Sequence, residues 1–226
     1  MIAAIHQPNF LPWAGFFHKM ARADRFVFLD SVPFTKGGYT NRVRIKTASG
    51  PQWLTVPVLS KGKSGQPIRE VQYDPVVDWR SKVVRTLQAN YGRCPHYSLY
   101  AGPIEQILRT GGDSLADLNI RLIEYVADLL DMRTPTTRSS QMNSQGKAAD
   151  LLIALCQELG ADTYLSGSGA ADYQDEQTFQ KAGVRLTYTG FVHPTYPQAF
   201  GDFQAGLSIV DLLFHCGPQS AALVRG

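Results

Sequence analysis

Cysteine is scarce in this 226-residue chain: Cys94, Cys156 and Cys216 are odd in number and far apart. They form no disulfide framework and no zinc-ligand pattern. Such usage fits a reducing compartment, so a cytoplasmic location is expected. No run of about 18 apolar residues occurs, and no membrane span is expected. Met1 leads within a few residues into a polar cluster, without the long apolar stretch of a signal peptide. Charge of one sign is not in excess either. Lys and Arg number 22 against 19 Asp and Glu, leaving +3, too little to argue for nucleic acid or a membrane surface. The five histidines lie apart, none at ligand spacing with Cys, Asp or Glu, so no metal is implied. The complete P-loop and dinucleotide fingerprints are missing. No motif names a cofactor, nothing repeats at a fixed period, and nothing sets the oligomeric state.

What is there reads as a globular chain: 44% apolar and 18% charged. The expected fold is α/β, a mostly parallel central sheet flanked by helices with an inserted β-hairpin. One domain over 1–226 is expected, with a sub-boundary conceivable at 134–146. Residues 1–32 read strand, helix, strand, with Ile2 to Ile5 and Arg25 to Leu29 as the strands. Val43 to Lys46 and Gln52 to Val58 read as a hairpin around Ala48-Ser49-Gly50-Pro51, a turn longer than the tightest kind. Asp78 to Tyr91 is a helix, and Ser98 to Arg109 is one or two, broken near Gly102-Pro103. Ser114, or Asp113, caps a core helix. The stretch from Thr134 to Ser144 is a linker or a short strand. Lys147 to Leu159, Ala161 to Leu165, Ala170 to Lys181 and Val184 to Tyr188 then alternate helix and strand, the rhythm of a parallel sheet. Leu207 to Phe214 is a final apolar helix.

Three polar clusters fall where strands end. The first is His6-Gln7-Pro8-Asn9, and open α/β sheets bind ligands at the carboxyl ends of their strands. The helix from Trp13 aims its N-terminus there, an end that suits an anion. Asp30 closes the second strand. Ser166-Gly167-Ser168-Gly169 follows the strand at Leu165 and has the makings of a phosphate or carboxylate cradle, with Asp172 and Tyr173 on the next turns. Each has a plain counterpart: a satisfied strand end, a turn cap, a tight Gly/Ser turn. The segment from Lys36 to Lys63 carries Arg42, Arg44, Lys46 and Lys61 and no carboxylate, a local basic patch or an ordinary solvated hairpin. His193, Tyr196 and Gln198 lie on a proline-stiffened loop, where His193 is a candidate acid or base. A Ser-His-Asp set drawn from Ser166 or Ser168, His193 and Asp211 lacks the required elbow, since Leu165 stands where Gly is needed. Cys94 with His96 is a poor nucleophile signal. His18 and His215 read as core-edge histidines.

Several of these residues also carry a likeness. His6-Gln7-Pro8-Asn9-Phe10-Leu11-Pro12-Trp13-Ala14-Gly15-Phe16-Phe17, then Ala23-Asp24, Phe28-Leu29-Asp30, Asn41-Arg42, Lys46 and Trp53 to Val58, resemble the opening of the WbqC-like family. Tyr164 to Gly169, Tyr196-Pro197-Gln198 and Leu207 to Phe214 continue the resemblance over nearly the whole chain. It implies a protein of bacterial surface-polysaccharide (O-antigen, lipopolysaccharide) biosynthesis that makes or decorates an activated sugar. A weaker likeness is to HIGH-type nucleotidyltransferases, but Trp13-Ala14-Gly15-Phe16 stands where their second histidine belongs.

The expectation is a transferase on a nucleotide-linked or phosphorylated sugar, moving an acyl or aminoacyl group. His6, His193 and Asp30 are the catalytic candidates. Gln7, Asn9, Lys36, Asn41, Arg42, Lys46, the Ser166 to Gly169 turn, Asp172, Tyr173, Tyr196 and Gln198 are the binding candidates. Arg42 and Lys46 would hold a phosphate or carboxylate. The competing class is a non-catalytic sugar-nucleotide binder. A tRNA donor would draw on the basic face of Arg80, Lys82 and Arg85.

Overall fold

The structure, a computed structural model, describes residues 1–112, 114–167, 169 and 175–226. A five-stranded sheet forms its centre, with strands β1 (Ile2–His6), β2 (Arg25–Phe28), β5 (Thr136–Arg138), β6 (Thr163–Ser166) and β7 (Arg185–Tyr188). A separate hairpin holds β3 (Arg42–Thr47) and β4 (Gly50–Thr55). The helices are α1 (Ala14–Ala21), α2 (Trp79–Tyr91), α3 (Tyr97–Thr110), α4 (Leu115–Leu129), α5 (Ala148–Glu158), α6 (Glu176–Lys181), α7 (Ile209–Cys216) and α8 (Ser220–Arg225).

Every pairing in the sheet is parallel, in the order β5-β2-β1-β6-β7. The chain therefore winds outward from β1 through β2 to β5. It then crosses back and winds the other way through β6 to β7. The reversal falls between β1 and β6, and in open α/β sheets a crevice forms there beyond the strand ends. Both faces are covered, which is why the strands are continuous apolar runs. One face packs Phe16, Phe17, Phe26, Phe28, Leu122, Val126 and Phe214. The other packs Ala3, Ile5, Val27, Leu155, Tyr164 and Phe179. Alanines at positions 3 and 4 are fully buried and let helices approach β1 from both sides. Burying one large apolar side chain in such a core is worth roughly 1.5–3 kcal/mol.

Local sequence explains the ends. Asp78 caps α2 by accepting from Ser81 N, and Ser114 caps α4 by accepting from Asp117 N. Asp113 lies outside the described residues. Three expectations are corrected. The hairpin turn is the tight kind: Thr47 pairs with Gly50, leaving only Ala48 and Ser49 between them. Gly50 adopts φ +93 and the Thr47 hydroxyl donates to its carbonyl at 2.8 Å, so the turn closes early. β4 also ends at Thr55, well before Val58. Finally, α3 runs unbroken through Pro103. That proline lies on the exposed side of the helix, where water can take the carbonyl it leaves without a donor. Of the two readings of 134–144, the strand is the one that forms, as β5 paired with β2.

Candidate functional site

β1 stays paired with β2 as far as His6, but its pairing with β6 stops at Ala4 with Leu165. Beyond that point the two central strands part, leaving Ile5 and His6 on one side and Ser166 and Gly167 on the other. The carbonyl of Ile5 would lack a partner in this split. Lys19 supplies it: Nζ donates to Ile5 O at 2.7 Å. Lys19 belongs to α1, whose Phe16, Phe17 and Met20 lie in the first core. Its ammonium nevertheless sits 5.5 Å from the ring centre of Tyr164, a residue of the second core. The side chain thus threads between the strands at the reversal point. It is 3% exposed, and among the described residues no carboxylate pairs with it. Burial without a counter-charge pulls its pKa from 10.5 down to about 7.

His6 caps the same split. Its ring packs edge-on against Phe16, 4.9 Å between centres, and Trp13, 5.9 Å. Nδ1 lies 3.1 Å from Gln7 O, a contact in which the ring donates, and that leaves Nε2 as the free acceptor. Burial first, and the Lys19 charge second, hold its pKa down at about 3.

The turn after β1 is held by α4 and by the loop before β3. Asn119 Nδ2 donates to Pro8 O and to Thr40 O, both at 2.7 Å. Phe10 N donates to Tyr39 O, and Thr40 Oγ1 to Gln7 Oε1 at 3.3 Å. Leu11 is fully buried at φ +41, a strained backbone setting for a side chain with a Cβ. Asn9 is 4% exposed and has no hydrogen-bond partner among the described residues. A line of rings leads outward from His6: Trp13, Tyr39 at 5.5 Å from it, then Trp53 at 5.7 Å. Arg42 lies over the Trp53 ring at 4.1 Å and donates from Nη2 to Gly37 O. Tyr39 and Trp53 are each 44% exposed, so the line ends in open aromatic surface.

Asp30 stands at the neighbouring strand end but is fully buried and occupied. Oδ1 accepts from Ser139 Oγ and Ser140 N, and Oδ2 from Ser140 Oγ at 2.8 Å. It ties the end of β2 to the end of β5. Asn41 Nδ2 donates to Val56 O on the hairpin, while its buried Oδ1 has no partner among the described residues. Lys36 is exposed in the loop before the hairpin. Ser166 is buried and Gly167 partly open beside the split. Ser168, Asp172 and Tyr173 lie outside the described residues.

The remaining candidates gather elsewhere. Asp211, fully buried on α7, accepts from Tyr91 Oη and Tyr196 Oη, each at 2.9 Å. Burial raises its pKa, and burial together with its charge raises those of both tyrosines. Tyr91 Oη in turn accepts from Lys46 N. Lys46 Nζ reaches Gln198 Oε1 and Gly201 O at 3.2 Å, and Asp202 O. Lys46, Tyr196 and Gln198 therefore meet, but in a clamp that pins the 196–204 loop to the hairpin. His193 is apart from both clusters, edge-on to Phe191 at 4.9 Å, with burial lowering its pKa. A cavity of 590 Å³ opens beside the clamp, lined by Cys94, Gln198 and His215 among others. Cys94 Sγ lies 3.4 Å from His215 Nε2. That nitrogen already accepts from Ala199 N at 2.9 Å, while Nδ1 donates to Asp211 O at 2.7 Å. Burial, then Asp211, push the Cys94 thiol up to about 11.

Sequence reading missed Lys19 and Asn119. In the sequence Lys19 is a cation in the last turn of a helix, where a cation is ordinary. Only its place on an apolar side of α1 could have marked it. Asn119, inside the apolar stripe of α4, was visible as a polar residue at a core position.

A doubly wound parallel sheet with a cation-bearing split at its reversal point defines the class: an open α/β protein. Residues 7–223 match the model of the WbqC-like protein family, and the chain belongs to that family. An uncharacterized protein of Mycobacterium tuberculosis (strain ATCC 25618 / H37Rv), Rv1507c, is 35% identical over 224 residues, covering 98% of this chain and 96% of that protein. No solved structure matches. Among the described residues, no cluster of His, Cys, Asp and Glu could hold a metal ion, and no helix is long and apolar enough to cross a membrane.

Proposed function

We propose that this chain is a cytoplasmic transferase of surface-polysaccharide (O-antigen) biosynthesis, acting on a nucleotide-linked or phosphorylated sugar. The ligand's anionic group would sit at the split between β1 and β6, and an acyl or aminoacyl group would be transferred there. One observation carries the reading: a buried cation, without a counter-charge among the described residues, lies at the reversal point of a doubly wound sheet. The N-terminal field of α1 adds to it. The backbone at Gly167, directly after β6, would offer a hydrogen bond beside the split. Trp13, Tyr39 and Trp53 offer ring faces for a base or a sugar. His6, whose proton affinity is too low to make it a strong base, serves as an acceptor for a sugar hydroxyl.

A second reading has its own support. Asp30 is saturated and His6 is weakly basic, so neither is well suited to move a proton. That favours a sugar-nucleotide binder without catalysis. A tRNA donor draws less support, because Arg80 donates to Leu108 O and stacks on Trp79 and Tyr73, leaving Lys82 and Arg85 as the exposed pair. The experiment is binding followed by turnover. The purified chain is titrated with nucleotide sugars, then incubated with each binder and a panel of acyl and aminoacyl donors. Binding with product formation supports the transferase. Binding without product from any donor leaves the binder, and no binding to any nucleotide sugar or sugar phosphate defeats both.

A further inference from the structure

Lys19 poses a physical problem that the fold alone does not solve. A lysine held 3% exposed between Ile5 O and the Tyr164 ring costs stability, because its charged form has lost its water. Its hydrogen bond to Ile5 O needs only a neutral donor. A glutamine or serine could in principle close a strand split as cheaply. The titratable groups around it come from three elements: His6 on β1, Cys156 on α5 and Tyr164 on β6. Cys156 is itself pushed up to about 12 by burial and is a thiol at neutral pH. Neither His6 nor Cys156 carries negative charge near neutrality. Among the described residues no carboxylate pairs with the cation, which lies at the reversal point of the sheet.

Resting on the anion-binding reading above, we propose that Lys19 is the residue that receives the ligand's anionic group, and that ligand binding charges it by drawing a proton from solvent. The free protein holds the amine partly neutral. A phosphate or carboxylate at the split supplies the missing counter-charge and stabilises the ammonium, and one proton moves from buffer to Nζ. The same anion favours protonation of His6, which sits next along the strand, so His6 is the group from which Lys19 must be separated by experiment. Phosphate and carboxylate are alike in this chemistry. The ligand arms tell them apart.

The linkage has a definite sign. Below the free pKa of about 7 Lys19 is already charged, and anion affinity is flat with pH. Above it, binding must take up a proton, and affinity falls by up to about tenfold per pH unit. The test is calorimetric titration of the full chain with UDP-glucose, glucose 1-phosphate and glucuronate, at about pH 8, in buffers of different ionisation enthalpy. UDP-glucose is the main probe, because its diphosphate does not titrate in this range. The expected result is uptake of most of one proton per ligand by the wild type and by His6→Asn. Lys19→Met should lose the uptake and bind at least about tenfold more weakly. Tighter binding of the two phosphate probes than of glucuronate assigns the anion as phosphate, and the reverse assigns carboxylate. Equal affinity and equal proton uptake in wild type and Lys19→Met overturn the proposal while leaving anion binding intact. Failure of all three probes to bind the wild type overturns the anion-binding reading and the Lys19 role with it. Should Lys19→Met not fold, the wild-type and His6→Asn pH profiles decide: affinity falling above about pH 7 in both upholds the role of Lys19, and a flat profile in either removes it.

Discussion

Lys19 and Asn119 occupy positions that apolar side chains would fill more cheaply. Each makes a measurable difference to stability. A shift from 10.5 to about 7 means that the folded state binds protons less readily than the unfolded chain. Stability is therefore penalised in full below about pH 7, and the penalty fades as pH rises towards 10.5. Lys19→Met removes that titration and also leaves Ile5 O unpaired, so its net sign at one pH mixes two effects. The pH trend does not. The melting temperature of Lys19→Met minus that of wild type should be more positive at about pH 6 than at about pH 9. An equal difference at both would mean that the amine is not desolvated. Asn119→Leu strips two buried carbonyls of their donor at once and should cost about 2–5 kcal/mol in denaturant unfolding. A loss under about 1 kcal/mol would show that water replaces the amide. Neither residue could be valued from sequence, because the worth of a buried polar group depends on partners 14 or more positions away.

Elements rather than single residues decide what the Asp211 cluster is for. α2, β3, the loop from 196 to 204 and α7 each contribute one or two members. Lys46 joins them by meeting three oxygens at once. Lys46→Met should release the loop. The expected readouts are faster amide exchange at 198–204 and a loss of about 2–4 kcal/mol, as for other buried charged donors removed from their acceptors. Unchanged exchange there would show that the loop is held by other contacts. The cysteine in the same region is a second test at this scale. With His215 Nε2 already accepting from Ala199 and the thiol pushed to about 11, Cys94 should react with iodoacetamide more slowly than a free cysteine at about pH 7.5. Rapid alkylation would reveal a thiolate and reopen the nucleophile reading. Chain-local elements were legible: buried parallel strands are short apolar runs, and a polar residue stands at or just past the end of three of them, as His6, Asp30 and Ser166 do. Pairings were not. Tyr196 and Gln198 stand on a stiff polar loop in sequence, but whether such a loop faces a ligand or a buried aspartate depends on which helix it meets. The hairpin turn was misjudged for a similar reason, since the Thr47 hydroxyl closes it and hydroxyl geometry leaves no pattern in spacing.

Across the whole molecule, the tryptophans divide by position. Trp13 and Trp53 stand along the ring line from His6, whereas Trp79 is sealed in the core. A nucleotide sugar bound at the split should change the emission of the first pair. The signal should be lost or halved in Trp13→Phe and kept in Trp79→Phe. A change that survives Trp13→Phe together with Trp53→Phe would place the ligand elsewhere. The α/β class and the inserted hairpin were legible from the alternation of runs. The strand order was not, because a parallel strand carries no mark of its neighbours. The outermost strands of the sheet also set a limit on how copies of this protein can associate. β5 has three residues and follows Pro135, which has no N–H to offer. β7 has four and opens on Arg185. Borders this short give an incoming chain only one or two backbone bonds to hold. The central sheet is thus poorly suited to grow by edge-to-edge stacking into ribbons or fibrils. A partner strand would find a longer edge on the separate hairpin, where β4 has six residues and is mostly exposed, and the central sheet should contribute no thioflavin signal of cross-β assembly in concentrated solutions.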